Sequence, residues 1–257
     1  MLKKKQPLYI EMETNMTDNY AKYKGYYVRP NLNVDKEMIN QCLSNYKDFD
    51  LTPDSVVMDW GMNIGGFGKM SLDKSIKKYI GVECHPENFK LCHMNLISYP
   101  NAHLINAAVT NENLESIELY STNSKQNFCS GTINLKNEFA KRLRKNVITV
   151  PVINADSLIE DYQPTHLKCD IEGEEYRILD SWKWIIPECI KQIAIEYHWE
   201  NEILTYAENR ATILSQGFTP VYEDLNYVKG KDKTFMFLGE EINYRNIWGL
   251  DCLYKRN

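Results

Sequence analysis

The stretch that decides the fold is Val57-Met58-Asp59-Trp60-Gly61-Met62-Asn63-Ile64-Gly65-Gly66-Phe67. An apolar run ends in an acidic residue, and glycines then let the backbone turn tightly and approach a ligand. This predicts a β-strand over 55–59, a turn, and a helix. The dinucleotide fingerprint G-x-G-x-x-G is absent, because Gly61 is followed by Gly65 and Gly66 and not by a glycine two positions on. A Walker loop is absent too, since no Gly-Lys-Ser/Thr follows. A carboxylate at the strand end repels a pyrophosphate but suits the cationic sulfonium and ammonium groups of S-adenosylmethionine. Backbone N–H groups near Gly65 and Gly66 can take that cofactor's carboxylate. Asp59, Gly61, Asn63 and Gly65 are therefore candidate cofactor residues.

Downstream, Tyr79-Ile80-Gly81-Val82-Glu83 is a second strand. Its terminal Glu83, about twenty residues after the glycine turn, is placed to accept bonds from ribose hydroxyls. A third strand near 103–106 ends at Asn106, whose amide can meet a purine edge above the small Ala107 and Ala108. Upstream, Met38, Cys42, Leu43 and Tyr46 share one face of a helix. Pro86 suits the first turn of another helix, where its missing N–H costs nothing. Further strands are predicted over 116–120, 147–153, 166–171 and 190–197. Helices follow the glycine turn as far as 77–78, start at Asp156, follow Gly173, and run from about 200 to 216, where Gly217 stops the last. Segments 219–222 and 234–238 read as a closing antiparallel pair, and 121–134 as a polar loop bordering the acceptor pocket.

This alternation predicts an α/β fold: a doubly wound, Rossmann-like sheet, mostly parallel with an antiparallel C-terminal strand and helices on both faces. Ligands then sit at the carboxyl ends of the strands. Residues 1–50 read as a Tyr-rich segment and helix packing on the core, and 51–257 as the cofactor-binding domain.

Composition narrows the class. A net charge of −5 argues against a general nucleic-acid binder, although Lys141, Arg142, Arg144 and Lys145 allow a local basic surface. No apolar run is long enough to span a bilayer, and the N-terminus lacks a signal-peptide core. Seven cysteines without framework spacing, with Cys42, Cys169 and Cys189 in apolar runs, read as free thiols of a cytoplasmic protein. The Cys84-His85 and Cys92-His93 pairs lack the usual spacing of a structural zinc site. The sequon at Asn15 has no secretory context.

A second group of residues carries charge into the core. On strand geometry Lys168, Asp170 and Glu172 share one face, and Glu196 and His198 obey the same period on the next strand. Charges there are costly unless paired or functional. His198 has a range suited to general-base work, with Asp170 as competitor. Grouped carboxylates, Asp170 and Glu196 among them, can instead hold a divalent cation that orients a diol. The plainer reading is an ion network of Lys168, Asp170 and Glu172 without chemistry.

At these positions the chain resembles the FkbM family of class I methyltransferases. Asp59-Trp60-Gly61-Met62-Asn63-Ile64-Gly65 is similar to the family's D-x-G-A-N-I-G turn, and Gly81-Val82-Glu83-Cys84-His85-Pro86 to its G-x-E-P-x-P segment. Lys168-Cys169-Asp170-Ile171-Glu172-Gly173-Glu174-Glu175 resembles K-x-D-x-E-G-x-E, and Glu196-Tyr197-His198 the E-x-H strand end. Met62 and Cys84 depart from the pattern without removing a cofactor-binding group. The resemblance implies O-methylation, commonly of sugar or polyketide hydroxyls, with a sugar or glycan as acceptor. Two other readings are an NAD-dependent oxidoreductase on the same sheet, which the missing fingerprint opposes, and an inactive cofactor-binding scaffold.

Overall fold

In a computed structural model of the chain, residues 19–30, 33–121, 131–132, 147–198 and 200–257 are described. Tyr9, the Asn15 sequon, most of 121–134 and the basic residues 141–145 lie outside them. An N-terminal hairpin, β1 (Ala21–Tyr23) and β2 (Tyr26–Val28), precedes helix α1 (Asn33–Asn45). Strand β3 (Val56–Trp60) then leads into α2 (Gly66–Leu72), β4 (Lys78–Glu83), α3 (Pro86–Leu96) and β5 (Ala102–Asn106). After the short strands β6 (Ala108–Thr110), β7 (Ser116–Ser121), β8 (Gly131–Thr132) and β9 (Val147–Asn154) comes α4 (Ala155–Tyr162). The chain closes with β10 (His166–Cys169), α5 (Glu175–Ser181), β11 (Gln192–Tyr197), α6 (Glu200–Ser215), β12 (Phe218–Phe237) and β13 (Glu240–Arg256).

The central sheet has the order β12-β13-β11-β10-β3-β4-β5. Strands β3, β4, β5, β10 and β11 run parallel, and β13 pairs antiparallel with β11. The chain winds outward from β3 to β5 and then returns to β10, so the sheet changes direction between β3 and β10. That switch point is where a doubly wound sheet opens its crevice. Period-two alternation divides the core. Met58 and Trp60 of β3, with Leu167 and Cys169 of β10, pack against α4, α5 and α6. Val57 faces the other way, toward Phe67, Leu72, Cys92 and Leu96 of α2 and α3. The hairpin and α1 cover part of this second face, where Tyr26, Val28 and Ile39 pack on Ile64 and Leu91.

Several boundaries differ from the sequence reading. The helix after the glycine turn ends at Leu72 and not at 77–78, because the chain enters a turn in which Ser75 is left-handed (φ 58°). Strands β7 and β9 leave the central sheet and build a small sheet of order β6-β9-β7-β8. Segments 219–222 and 234–238 do not pair with each other: both belong to β12 and pair along β13, Thr219 with Lys255 and Thr234 with Asn243. Strand β10 stops at Cys169, two residues early, because Glu172 (φ 58°) and Gly173 (φ 106°) turn the chain sharply.

Strand β13, which the sequence reading missed, supplies the antiparallel member of the sheet. Leu253 of β13 is fully buried opposite Ala194. Leu253→Ala should cost about 2–5 kcal/mol of stability, read as a lower denaturant midpoint at unchanged slope. A cost near zero would mean that β13 is dispensable to the core.

Candidate functional site

Registered pairing places Asp59 of β3 directly beside Lys168 of β10, and both are buried. Lys168 Nζ lies 3.3 Å from Asp59 Oδ1 and 3.2 Å from Asp170 Oδ2, and donates to the Gly61 carbonyl at 3.0 Å. Burial opposes the lysine charge, but Asp170 and Asp59 outweigh it and hold Lys168 above the ordinary lysine range. The Tyr79 hydroxyl donates to Asp59 at 2.6 Å. At Gly61 (φ 80°) an added Cβ would fall 1.7 Å from the Asp170 carbonyl oxygen, so only glycine admits this contact between the two strand ends.

Glu83 closes the glycine turn from the other side. Its carboxylate accepts the Asn63 N–H at 2.9 Å and the His85 N–H at 2.8 Å. Burial pushes it up to about 7 against those two donors. The Asn88 side chain and the Cys84 thiol also donate to this carboxylate.

His198 follows β11 directly and stands inside a ring of carboxylates. Its Nε2 is 3.5 Å from Asp170, 3.6 Å from Glu172 and 3.8 Å from Glu196, and its Nδ1 is 3.3 Å from Glu175. Burial works against its charge, yet Glu172, Glu175 and Glu196 prevail and hold it well above the ordinary histidine range. Those carboxylates favour the imidazolium form of His198, which donates protons more readily than it takes them. Glu196 is pushed up to about 8, by burial first and then by Asp170. Glu172 is pushed up to about 7, with burial again the largest cause.

One cavity joins the two groups. Gly61, Asn63, Glu83, Lys168, Asp170, Glu172, Glu196 and His198 all line it. Asp59, Gly65 and Asn106 do not. Asp59 lies beneath the floor, sealed by Lys168 and Tyr79, so a ligand meets Lys168 in its place. Gly65 (φ 87°) makes the left-handed turn into α2, with Cys92 and Leu96 packed behind it. The Asn106 amide donates to the Glu83 carbonyl at 2.7 Å and so braces the end of β4. The acidic cluster also differs from the alternation argument. Only Lys168 belongs to β10, and Asp170 and Glu172 reach the site through the turn that follows it.

Two residues carry roles that the sequence reading did not assign. Glu175, at the start of α5, accepts the N–H groups of Ile171 (2.5 Å) and Gly173 (2.8 Å), fixing the turn that carries Asp170 and Glu172. The signal was an acidic residue in the first turn of a helix, where free N–H groups await acceptors. Asp251, registered opposite Glu196, is pushed up to about 6 by burial and then by Asp170. Its signal, an acid between Leu250 and Cys252, becomes readable only once β13 is known. Among the described residues, the Cys84-His85 and Cys92-His93 pairs build no group of three metal-competent ligands.

The sequence pattern described as the Methyltransferase FkbM domain matches residues 59–220. No curated protein gives a significant match. Among solved structures, the chain is similar to the precorrin-6y C5,15-methyltransferase of Geobacter metallireducens GS-15 at 12% identity and TM-score 0.45, over 93% of this chain and 95% of that one. It is similar to M. jannaschii TYW2 in complex with AdoMet at 14% identity and TM-score 0.42, over 93% and 86%. The C-terminal domain of the Rhodobacter capsulatus precorrin-6Y C5,15-methyltransferase matches at 8% identity and TM-score 0.45, over 85% and 89%.

The raised carboxylates bear on stability. Glu83, Glu172 and Glu196 rise from 4.5 to about 7, 7 and 8, and His198 rises above 6.5. All four groups bind their protons more tightly in the folded state. Their stabilising contribution is complete below the unfolded values and is lost as pH rises through the folded ones. The Tm of the ligand-free protein should fall between about pH 5 and about pH 8.5, and Glu196→Gln should flatten the upper part of that fall. A Tm that climbs across the window would show that the cluster is ionised without penalty.

Proposed function

This chain belongs to the FkbM methyltransferase domain family, and from that premise we propose that it moves the methyl group of S-adenosylmethionine to a hydroxyl of a sugar or glycan. The observation that carries this reading is a single cavity lined both by a glycine turn with its strand-end glutamate and by a carboxylate–histidine cluster. The residues fit the cofactor. Glu83, Asp170, Glu172, Glu174 and Glu196 outnumber Lys168 and His198 along the lining, which suits a ligand bearing a sulfonium and an ammonium. Gly61 keeps the floor free of a side chain, and Glu83 offers acceptors for ribose hydroxyls. When bound, S-adenosylmethionine supplies an electrophilic methyl group on a cationic sulfur.

On this reading Asp170 and Glu172 orient the acceptor's hydroxyls, and Glu196 takes the proton of the reacting one. His198, pinned by Glu175, provides the positive charge that makes an ionised Glu196 tolerable. Residues 51–257 form the catalytic domain, and α1 with Tyr46 adds a wall through Met38, Gln41 and Cys42. Among the described residues no helix is long and apolar enough to cross a membrane. We place the reaction in the cytoplasm, where free thiols such as Cys92 and Cys169 persist. One observation favours a second reading: ligand atoms of Asp170, Glu196 and His198 lie within 4.8 Å of one another, a set able to hold a divalent cation that acidifies the hydroxyl.

Two experiments test this. Calorimetric titration should show S-adenosylhomocysteine binding and no comparable affinity for NAD. Glu83→Ala should weaken that binding about ten- to a hundredfold, because it removes both the ribose acceptors and the clamp on Asn63 and His85. Tight NAD binding alone would overturn the reading. In methyl-transfer assays with fractionated glycans, the rate should rise with pH through the value of about 8 at which Glu196 ionises. Glu196→Gln should then lose about 10²–10⁴-fold in rate with cofactor affinity intact, and His198→Gln should move the rising limb to higher pH. A limb that keeps its position in His198→Gln would remove the counter-charge role. Activity abolished by a chelator and restored by Mg²⁺ or Mn²⁺ would establish the metal reading instead.

A further inference from the structure

Glu174 has no part in the reaction just described. It stands between Gly173 and Glu175 at the N-terminal boundary of α5, makes no side-chain cap and is 1% exposed, yet it lines the cavity. Its Oε1 accepts the Thr110 hydroxyl at 2.7 Å. Its Oε2 is buried and receives no hydrogen bond. Arg177 Nε stands 3.7 Å from that oxygen, beyond hydrogen-bond reach, and Arg177 Nη1 donates to Glu112 at 2.7 Å. A buried carboxylate oxygen without a donor is costly. Burial accordingly pushes Glu174 up to about 7.

The surrounding wall shows what kind of donor fits. Next to Glu83 in the chain, Cys84 packs against Ala108 and Leu119, an apolar patch that lines the same cavity. Strand β6 runs from Ala108, through Val109, to Thr110, whose hydroxyl holds Glu174. The cavity therefore passes from a carboxylate suited to a ribose, along an apolar wall, to a second carboxylate with a free acceptor. A purine has this complementary layout, with flat apolar faces and, in adenine, an exocyclic amine that donates.

We infer that Glu174 accepts the exocyclic amino group of the S-adenosylmethionine adenine through Oε2, and so makes the nucleotide subsite selective for a 6-amino over a 6-oxo purine. This rests on reading the cavity as the cofactor site. Above the value of about 7 at which Glu174 ionises, a 6-oxo purine would turn a carbonyl oxygen toward the carboxylate and be repelled.

The test is calorimetric titration of the full chain, at a pH above the value of about 7 at which Glu174 ionises, with S-adenosylhomocysteine and with its deaminated counterpart, S-inosylhomocysteine. The wild-type protein should prefer the adenosyl compound on the order of ten- to a hundredfold. Glu174→Gln keeps the size and can turn its amide toward either purine edge, so it should narrow that ratio several-fold. Thr110→Val, which frees the carboxylate to rotate, should narrow it less. A wild-type ratio near one overturns the inference without any variant, as does an unchanged ratio in a Glu174→Gln protein that melts like wild type. If the wild-type protein binds neither compound, the cofactor reading fails and takes this inference with it. Binding of both with equal affinity defeats the inference alone.

Discussion

The ion pair of Asp59 with Lys168 joins the two strands between which the sheet changes direction, and the crevice is organised around it. Neither group could be buried alone, since removing one partner from such a pair typically costs about 3–5 kcal/mol. Each has further support: Tyr79 donates to Asp59, and Lys168 donates to the Gly61 carbonyl while facing Asp170. The lysine thereby ties the glycine turn after β3 to the acidic turn after β10. The backbones meet at the same place, where the Asp170 N–H donates to the Trp60 carbonyl at 3.1 Å and Gly61 leaves no room for a side chain. The glycine turn and the acidic turn are thus built on one junction.

That junction also sets the electrostatics. With Lys168 committed to Asp59 and Asp170, the remaining acids of the cavity share little positive charge beyond His198. Burial and mutual repulsion raise Glu172 and Glu196, while the same carboxylates raise His198. A histidine in this setting is held toward its cationic form. In the proposed reaction the proton-accepting role falls to Glu196, whose value of about 8 lies near working pH, where general-base catalysis is most efficient.

Much of this was legible in the chain. Near-continuous apolar runs in 57–60 and 193–197, broken only by Asp59 and Glu196, mark strands buried on both faces, because in a doubly wound sheet each face meets its own layer of helices. Glycines at 61, 65 and 173 mark turns, since their left-handed φ angles suit no other residue so well. Strand β13 escaped because its alternation runs through Asn243, Tyr244, Arg245 and Asn246, which look polar and irregular in isolation. Pairing along β12 organises those residues, and pairing is not a local property.

Residue types, their order and the strand ends that carry them were determined by the sequence alone: a glycine turn, Glu83 at the end of β4, and Lys168, Asp170, Glu172, Glu196 and His198 at the ends of β10 and β11. Orientation and protonation were decided only by the tertiary structure. Asp59 looks like a cofactor ligand until the register with Lys168 seals it beneath the floor. His198 looks like a base until four carboxylates from three segments close around it. Glu174 looks like a spacer between two motif residues until Thr110, brought from β6, turns its carboxylate along the cavity wall. The physical reason is the same in each case: burial and charge proximity depend on distances between segments far apart in the chain, and only packing sets those distances.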